Sequence, residues 1–219
     1  VPVIVGSGSN DTKSAVRLSR LFSSLGADAL LVVTPFYNKC TQSGLVAHYS
    51  EIANYVDKPV IVYNVPARTG VNVLPETFQK LAKIKNVVAI KEAAGDLSQM
   101  SDTIMLSDNA DVFSGDDNLT VPAMCMGASG VISVAANLFP KFVSDMTKAA
   151  LLGNYDKAAK MQLKINPLIH GLFSEVNPIP IKYALNKFGL CKNILRLPLT
   201  KMSKANSDKL DVLLDDFLS

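Results

Sequence analysis

Lys91 is the residue in this sequence best placed to act as a nucleophile. It ends the apolar segment Val-Val-Ala-Ile at positions 87–90, which has the composition of a buried strand. A lysine partly removed from water loses its proton more readily, and its neutral amine can attack a ketone. On position alone, the alternative is a strand-end lysine that reaches solvent or pairs with Glu92, and most lysines at strand ends are of that kind.

The segment YNVPARTG, residues 63–70, follows a second apolar strand. Its Tyr63 phenol can relay protons, and the two-pronged donor set of Arg68 matches a carboxylate. A β-turn stabilised by Asn64 and Pro66, with Tyr63 as a rim aromatic, explains the same residues equally well. Taken alone, the segment leaves both interpretations open.

Two further polar motifs, TPFYN and FSGDD, also follow apolar segments. The first contains Tyr37, which fits either a functional aromatic or a plug that packs its loop or a subunit contact. In the second, Gly115 would let a ligand approach the backbone, whereas Asp116 and Asp117 are more simply explained as caps of the following helix.

Other motifs predict little chemistry. The run GSGSN, residues 6–10, lacks the third glycine of a dinucleotide-binding fingerprint. His48 and His170 have no partner at metal-ligand spacing, so no metal site is predicted. No serine lies in a nucleophile elbow.

Composition indicates a globular chain in a reducing compartment. Of the 219 residues 48% are hydrophobic and 19% charged, and the net charge of +3 is not gathered into a basic stripe of the kind that binds nucleic acid. Cys40, Cys125 and Cys191 are widely spaced and odd in number, which favours free thiols and a cytoplasmic protein. The apolar runs are too short to span a membrane, and we expect neither a transmembrane helix nor a signal peptide.

Short apolar segments alternate with amphipathic ones along residues 1–152. Strands are predicted near 3–5, 29–33, 60–63, 87–90, 112–113 and 131–134. This alternation indicates a parallel sheet of about six βα units. A doubly wound sheet would fit, but the polar motifs after nearly every strand favour a (β/α)8 TIM barrel, whose active site lies at the carboxyl ends of its strands.

A complete barrel has eight strands, and the chain starts inside an apolar strand without Met. We therefore expect a barrel that is incomplete at its N-terminus, with two units missing. From residue 153 onward the strands cease, and helices are predicted near 155–173, 178–188 and 203–218. The predicted organisation is a barrel portion, residues 1–152, and a C-terminal helical region, residues 153–219.

The motifs GSGSN, TPFYN, YNVPARTG, IKEAAGD, SGDD, GVISV and NPIPIK, in this order, resemble the dihydrodipicolinate synthase / N-acetylneuraminate lyase family. The resemblance covers essentially the whole chain. It implies that Lys91 forms an imine with pyruvate without any cofactor, and that the resulting enamine attacks an aldehyde. It assigns proton relay to Tyr63 and to Tyr37, which would reach a neighbouring subunit's site, and it places Gly115 and Ile132 around the pyruvate.

Arg68 selects a branch of that family. The synthases hold the carboxylate of aspartate semialdehyde with an arginine here, whereas the sialic-acid lyases usually lack it. The resemblance therefore implies condensation of pyruvate with aspartate semialdehyde to 4-hydroxy-tetrahydrodipicolinate, in lysine and diaminopimelate biosynthesis. It also implies a homotetramer made of two dimers, with small-molecule substrates and neither nucleic acid nor membrane as a partner.

Two departures from the family pattern leave alternatives open. The family's paired-threonine motif is absent from this sequence. Asn10 matches the lysine effector site, but Ser14 and Phe36 replace the expected Glu and Tyr, which predicts weak or no inhibition by lysine. The alternatives are a related aldolase acting on N-acetylneuraminate or a 2-keto-3-deoxy sugar acid, and a truncated barrel without activity.

Overall fold

The computed structural model describes residues 1–107 and 109–219, which form two compact units, Val1–Val131 and Ile132–Ser219. The boundary predicted after residue 152 marks a different change, from alternating strands and helices to helices alone. The predicted division into residues 1–152 and 153–219 stays a prediction.

A parallel sheet forms the centre of the first unit. Its six strands, β1 to β6, are Ile4–Gly6, Ala29–Val33, Val60–Asn64, Val87–Glu92, Asp111–Ser114 and Gly130–Val131. They pair in sequential order, β1-β2-β3-β4-β5-β6, and every pair is parallel. The predicted barrel-type succession of six βα units is confirmed.

The last strand is shorter than predicted. The structure has β6 at Gly130–Val131, so the prediction of a strand over residues 131–134 was wrong. Val134 adopts a helical backbone conformation, and the hydroxyl of Ser133 accepts a hydrogen bond from the Ala136 amide at 2.8 Å. This local bond favours a turn over an extended chain.

Helices follow the strands of the first unit. They are α1 to α6, at Thr12–Ser24, Gln42–Asn54, Pro66–Thr69, Pro75–Leu81, Leu97–Leu106 and Thr120–Cys125. Asp11, Thr41 and Asp96 begin α1, α2 and α5 by accepting hydrogen bonds from backbone amides of the first turn. Helix α3 was not predicted from the sequence. It is a single turn that begins at Pro66 and is capped by Gly70, whose φ of 74° suits glycine.

The core of the first unit lies between the strands and these helices. Leu30, Val32, Val60, Val62 and Ile90 are fully buried on the strands. Burying each such side chain contributes about 1.5–3 kcal/mol, which makes this layer the main source of the unit's stability.

The second unit is helical. Its helices α7 to α10 are Pro140–Leu151, Tyr155–Leu172, Ile179–Lys187 and Lys204–Leu218, so the predicted C-terminal helical region is confirmed. Helix α8 packs against α10, and Gly171 allows a close approach, because a Cβ there would lie 2.7 Å from Cδ1 of Leu213. None of the helices in residues 1–107 and 109–219 is both long enough and apolar enough to cross a membrane.

His48 joins α2 to α1 inside the first unit. It is buried, and its Nδ1 atom lies 2.9 Å from the Thr12 hydroxyl. Burial lowers the pKa of His48, and the nearby Asp11 carboxylate opposes that shift. The folded chain therefore favours the neutral imidazole.

We predict that His48 makes the protein less stable as the pH falls below about 6.5, the ordinary value for histidine. Below that pH the unfolded chain binds a proton that folded His48 does not, so the free energy of unfolding decreases. His48→Asn should reduce this loss, which is at most about 1.4 kcal/mol per pH unit. Urea unfolding at pH 7.5 and 5.5 measures it, with the exposed His170→Asn as control. Equal pH dependence in both variants would contradict the prediction.

Candidate active site

The register between β3 and β4 brings Tyr63 and Lys91 side by side. Nζ of Lys91 lies 4.3 Å from the centre of the Tyr63 ring. Because side chains alternate along a strand, the next pair in the register, Asn64 and Glu92, faces the opposite side of the sheet. Two of the predicted site residues thus meet on one face.

The surroundings of Lys91 favour a reactive amine. Burial lowers the pKa of Lys91, and the Arg68 guanidinium adds to this, whereas the carboxylates of Asp117 and Asp116 oppose it. A lowered pKa increases the fraction of neutral amine near neutral pH, which is the form that attacks a carbonyl. Lys91 does not pair with Glu92, since that carboxylate accepts hydrogen bonds from Asn64, Ala94 and Gln99.

Tyr63 is also partly buried. Burial raises the pKa of its phenol, with a further contribution from Asp116, while Arg68 opposes the shift. A phenol that keeps its proton can donate a hydrogen bond to an oxygen atom of a bound keto acid and pass a proton to it.

A cavity of about 440 Å³ lies beside Tyr63. It is lined by side chains and backbone from the carboxyl ends of β1, β2 and β3 and from α3, namely Gly6, Gly8, Leu31, Val33, Phe36, Tyr63, Val65, Arg68 and Thr69. A volume of this size suits a small organic substrate. A larger cavity, of about 1060 Å³, lies between α1 and residues 51–58 and includes none of the predicted site residues.

Gly115 lies against Lys91. A Cβ atom at this position would stand 2.6 Å from Cβ of Ala93 and 3.1 Å from Cε of Lys91. The Gly115 amide also donates to the Glu92 carbonyl at 2.6 Å. The absence of a side chain at residue 115 therefore leaves room for the lysine.

The capping role expected of Asp116 was wrong, and that of Asp117 stays a prediction. Asp116 stands at the N-cap of a short 3-10 turn, Asp117–Leu119, but its side chain forms no capping bond, and α6 has no side-chain cap either. Burial raises the pKa of Asp116, whereas a hydrogen bond from the Gly95 backbone and the charge of Lys91 lower it. Asp116 therefore contributes charge to the surroundings of Lys91.

Arg68 lies on α3, and its side chain is exposed. The neighbouring Thr69 fixes this turn: its hydroxyl accepts a hydrogen bond from Thr34 at 3.1 Å, and its carbonyl accepts one from the Tyr37 amide. The turn thus presents a guanidinium at the cavity that Tyr63 also lines.

Tyr37 is not packed against Lys91 or Tyr63 of the same chain. Its side chain is 87% exposed, and its φ is 74°, a conformation that costs a non-glycine residue free energy. Ile132 directly follows β6 and is the first residue of the second unit. The roles assigned to Tyr37 and Ile132 stay predictions.

A polar cluster behind the site was not predicted from the sequence. The buried Glu92 carboxylate accepts hydrogen bonds from Asn64 and Gln99, and Asn72 bonds to both of those amides. Its only signal in the sequence was an acidic residue directly after an apolar strand, which we considered only as a partner of Lys91.

Comparison with known proteins agrees with this geometry. Residues 1–216 match the model of the dihydrodipicolinate synthetase family. The chain belongs to this family. It is 49% identical to 4-hydroxy-tetrahydrodipicolinate synthase of Thermoanaerobacter pseudethanolicus, covering 99% of this chain and 74% of that protein. The same enzyme of Geobacter sulfurreducens is 51% identical over 99% of this chain and 75% of its own length.

Solved structures of the family share the fold. Dihydrodipicolinate synthase of Thermotoga maritima matches with a TM-score of 0.98 at 44% identity, over 99% of this chain and 75% of that one. The enzyme of Acinetobacter baumannii, solved in complex with pyruvate, matches with a TM-score of 0.97 at 43% identity, over 99% and 75% of the two chains. A monomeric dihydrodipicolinate synthase variant matches with a TM-score of 0.98 at 44% identity, over 99% of this chain and 74% of that one.

We predict that Gly115→Ala displaces Lys91 and slows its reaction with a keto acid. The added methyl would overlap Ala93 and press on Cε of Lys91, and a misplacement of about 1 Å can reduce a rate roughly 10- to 100-fold. Borohydride trapping of the pyruvate imine against time measures the effect. Gly44→Ala is the control, because its nearest neighbours would lie at 3.3 Å. Trapping at the wild-type rate in Gly115→Ala would contradict the prediction.

Proposed function

We propose that this protein condenses pyruvate with L-aspartate 4-semialdehyde to form 4-hydroxy-tetrahydrodipicolinate, a step of lysine and diaminopimelate biosynthesis. The observation that carries the proposal is the pair formed by Lys91 and Tyr63, with Nζ 4.3 Å from the ring centre and the pKa of Lys91 lowered by burial. Similar proteins of the family are named for this activity, and none of those reported above is named a sugar-acid lyase.

Lys91 supplies the covalent chemistry. Its neutral amine adds to the keto carbon of pyruvate, and loss of water gives an imine. The imine withdraws electrons from the methyl group, which loses a proton to become an enamine, and the enamine carbon then forms a bond to the aldehyde carbon of the second substrate. No metal or other cofactor is needed, because the imine itself is the electron sink.

Ring closure releases the enzyme. The amino group of the semialdehyde attacks the imine carbon and replaces the lysine nitrogen, which leaves as the free amine of Lys91. Tyr63 is the group placed to move protons during these additions and eliminations, since it stands next to the amine and holds its phenolic proton.

Arg68 supplies substrate specificity in this proposal. Its exposed guanidinium lines the same cavity as Tyr63 and can bind the carboxylate of the semialdehyde through two hydrogen bonds. Gly115 is proposed to line the pyruvate subsite, and its close approach to Lys91 gives support for this.

The proposed assembly is a homotetramer built from two dimers. Tyr37 supports it, because its backbone holds a costly conformation while the side chain stays exposed on its own chain. We propose that this phenol completes the proton relay in a neighbouring subunit. Weak inhibition by lysine, expected from Ser14 and Phe36, also stays a prediction that a lysine titration of the activity would check.

Two variants separate the proposed roles. Lys91→Met should abolish the pyruvate adduct that borohydride traps on wild-type Lys91, located by peptide mass spectrometry. Arg68→Ala should leave that adduct intact and lower kcat/KM for the semialdehyde roughly 10- to 100-fold, the effect of losing a charged hydrogen-bonded pair worth about 1.5–3 kcal/mol. Absence of an adduct in the wild type would exclude imine catalysis, and unchanged semialdehyde kinetics in Arg68→Ala would exclude the proposed specificity.

The acidic limb of the pH profile for imine formation should shift in Asp116→Asn. The Asp116 carboxylate raises the pKa of Lys91, so its removal lowers that pKa and leaves the amine neutral at lower pH. We expect the pH profile of the trapping rate to shift downward, with Asp96→Asn as the control because Asp96 instead caps α5. A shift toward higher pH would contradict this assignment of charges.

Mixed subunits test the role of Tyr37. A Tyr37→Phe chain and a Lys91→Met chain should each have little activity, but a refolded mixture should regain part of it. In the mixture, an intact Tyr37 from one chain can serve an intact Lys91 of another. No gain on mixing, with association of the chains verified by mass photometry, would mean that Tyr37 does not act across subunits.

A further inference from the structure

We propose that Glu92 is a positioning residue, whose buried carboxylate holds the carboxyl ends of β3 and β4 and the segment after Arg68 in the geometry that catalysis requires. The inference rests on the proposed function, because the groups it positions are those assigned to imine formation and to binding of the aldehyde.

Glu92 is fully buried on the face of the sheet opposite Lys91. Its carboxylate accepts hydrogen bonds from Nδ2 of Asn64 at 2.9 and 3.0 Å, from the Ala94 amide at 2.8 Å, and from Nε2 of Gln99 at 3.3 Å. These donors come from β3, from the turn after β4 and from α5. One side chain thus joins three parts of the chain at the end of the sheet that carries the site.

The orientation of Asn64 is fixed by the backbone. Its Oδ1 atom accepts a hydrogen bond from the Val73 amide at 2.9 Å, so Nδ2 must face Glu92. The same Nδ2 donates to Oδ1 of Asn72 at 2.8 Å, and Gln42 donates to the Asn72 carbonyl. Residues 72 and 73, which follow the Arg68 turn, are therefore tied to the strand that carries Tyr63.

The cluster fits an ionised carboxylate. Each of these hydrogen bonds to the Glu92 oxygens is donated by an N–H group. A protonated carboxylic acid would place its own hydrogen against one of these N–H groups. Within residues 1–107 and 109–219 no lysine or arginine forms an ion pair with it. Burial raises the pKa of Glu92, and the bonds from Asn64, Ala94 and Gln99 counteract that shift. Within the described residues, the negative charge of Glu92 is thus stabilised by hydrogen bonds rather than by an ion pair.

The cluster reaches the catalytic face through the backbone. Glu92 adjoins Lys91, and its carbonyl accepts the Gly115 amide at 2.6 Å. Asn64 adjoins Tyr63, and its carbonyl accepts the Ala93 amide at 2.9 Å. A change at the Glu92 carboxylate would therefore displace the backbone of Lys91, Tyr63 and Gly115.

Glu92→Gln tests the inference with almost no change of shape. It places an amide against Asn64, so that two N–H donors face each other and the charge is lost. We expect kcat/KM for the semialdehyde to fall about tenfold or more, mostly through KM, because the segment that follows Arg68 is released. Glu51→Gln, an exposed glutamate on α2, should behave like the wild type.

Asn64→Asp combined with Glu92→Gln provides the rescue. The aspartate can accept both from the new amide and from the Val73 backbone, and one buried charge is kept. Because Oδ1 of Asn72 accepts from Asn64 in the wild type, the paired amides of Asn72 and Gln99 must turn over in the double variant, so that Asn72 donates to the aspartate and Gln99 accepts from the new amide. Most of the activity lost in Glu92→Gln should return in the double variant. Asn64→Asp alone, which brings two carboxylates together, should itself lower the activity. A folded double variant with no recovery, or a folded Glu92→Gln with wild-type kinetics, would overturn the inference.

Hydrogen exchange gives a readout that does not depend on the reaction. Amide exchange at residue 73 should accelerate at least about tenfold in Glu92→Gln and return toward the wild-type rate in the double variant. Exchange that stays unchanged in Glu92→Gln would overturn the positioning role even if the activity falls. Failure of the wild type to trap pyruvate would instead overturn the proposed function, whatever the exchange at residue 73.

Discussion

The structure of the site depends on the parallel register between β3 and β4. Because side chains alternate along a strand, pairing Tyr63 with Lys91 necessarily pairs Asn64 with Glu92 on the other face. A shift by one residue would turn the lysine away from the tyrosine and expose the carboxylate to the wrong neighbours. Hydrogen bonds between Asn64 and Glu92 oppose such a shift, so the polar pair behind the sheet stabilises the arrangement in front of it.

Burial shifts the pKa of two adjacent groups toward their neutral forms, the half-buried amine of Lys91 and the fully buried carboxyl of Glu92, but the hydrogen bonding of the two groups differs. Lys91 has no ion pair within the described ranges, so burial lowers its pKa and a neutral amine becomes accessible. Burial raises the pKa of Glu92, but this carboxylate receives hydrogen bonds from three residues, each of which favours its charged form and counteracts that shift. One pKa unit corresponds to about 1.4 kcal/mol, so modest differences in hydration and hydrogen bonding change the balance between the charged and neutral forms of neighbouring residues.

Sequence patterns predicted the strands and the chemistry at their ends better than they predicted the contacts between them. Apolar runs identified the six strands because burial on both faces excludes polar residues from parallel strands. The motif around Lys91 and Tyr63 predicted residues that the structure brings together. The Glu92 cluster was missed because Asn64, Asn72 and Gln99 are individually ordinary and lie in three different segments of the chain. Helix α3 was missed because its four residues are too few to show a helical period. Asp116 was wrongly predicted as a cap, because the local capping rule does not take into account the charge of Lys91 beside it.

Tyr37 combines a strained backbone conformation with an exposed side chain. A left-handed conformation costs a non-glycine residue roughly 1–2 kcal/mol, and an 87% exposed side chain recovers little of this by burial. The conformation is held instead by the backbone, through the bond from the Tyr37 amide to the Thr69 carbonyl next to Arg68. The turn that presents Arg68 to its own cavity therefore also fixes the direction of an exposed phenol. A costly conformation at an exposed phenol supports the proposal that this tyrosine acts in a second subunit.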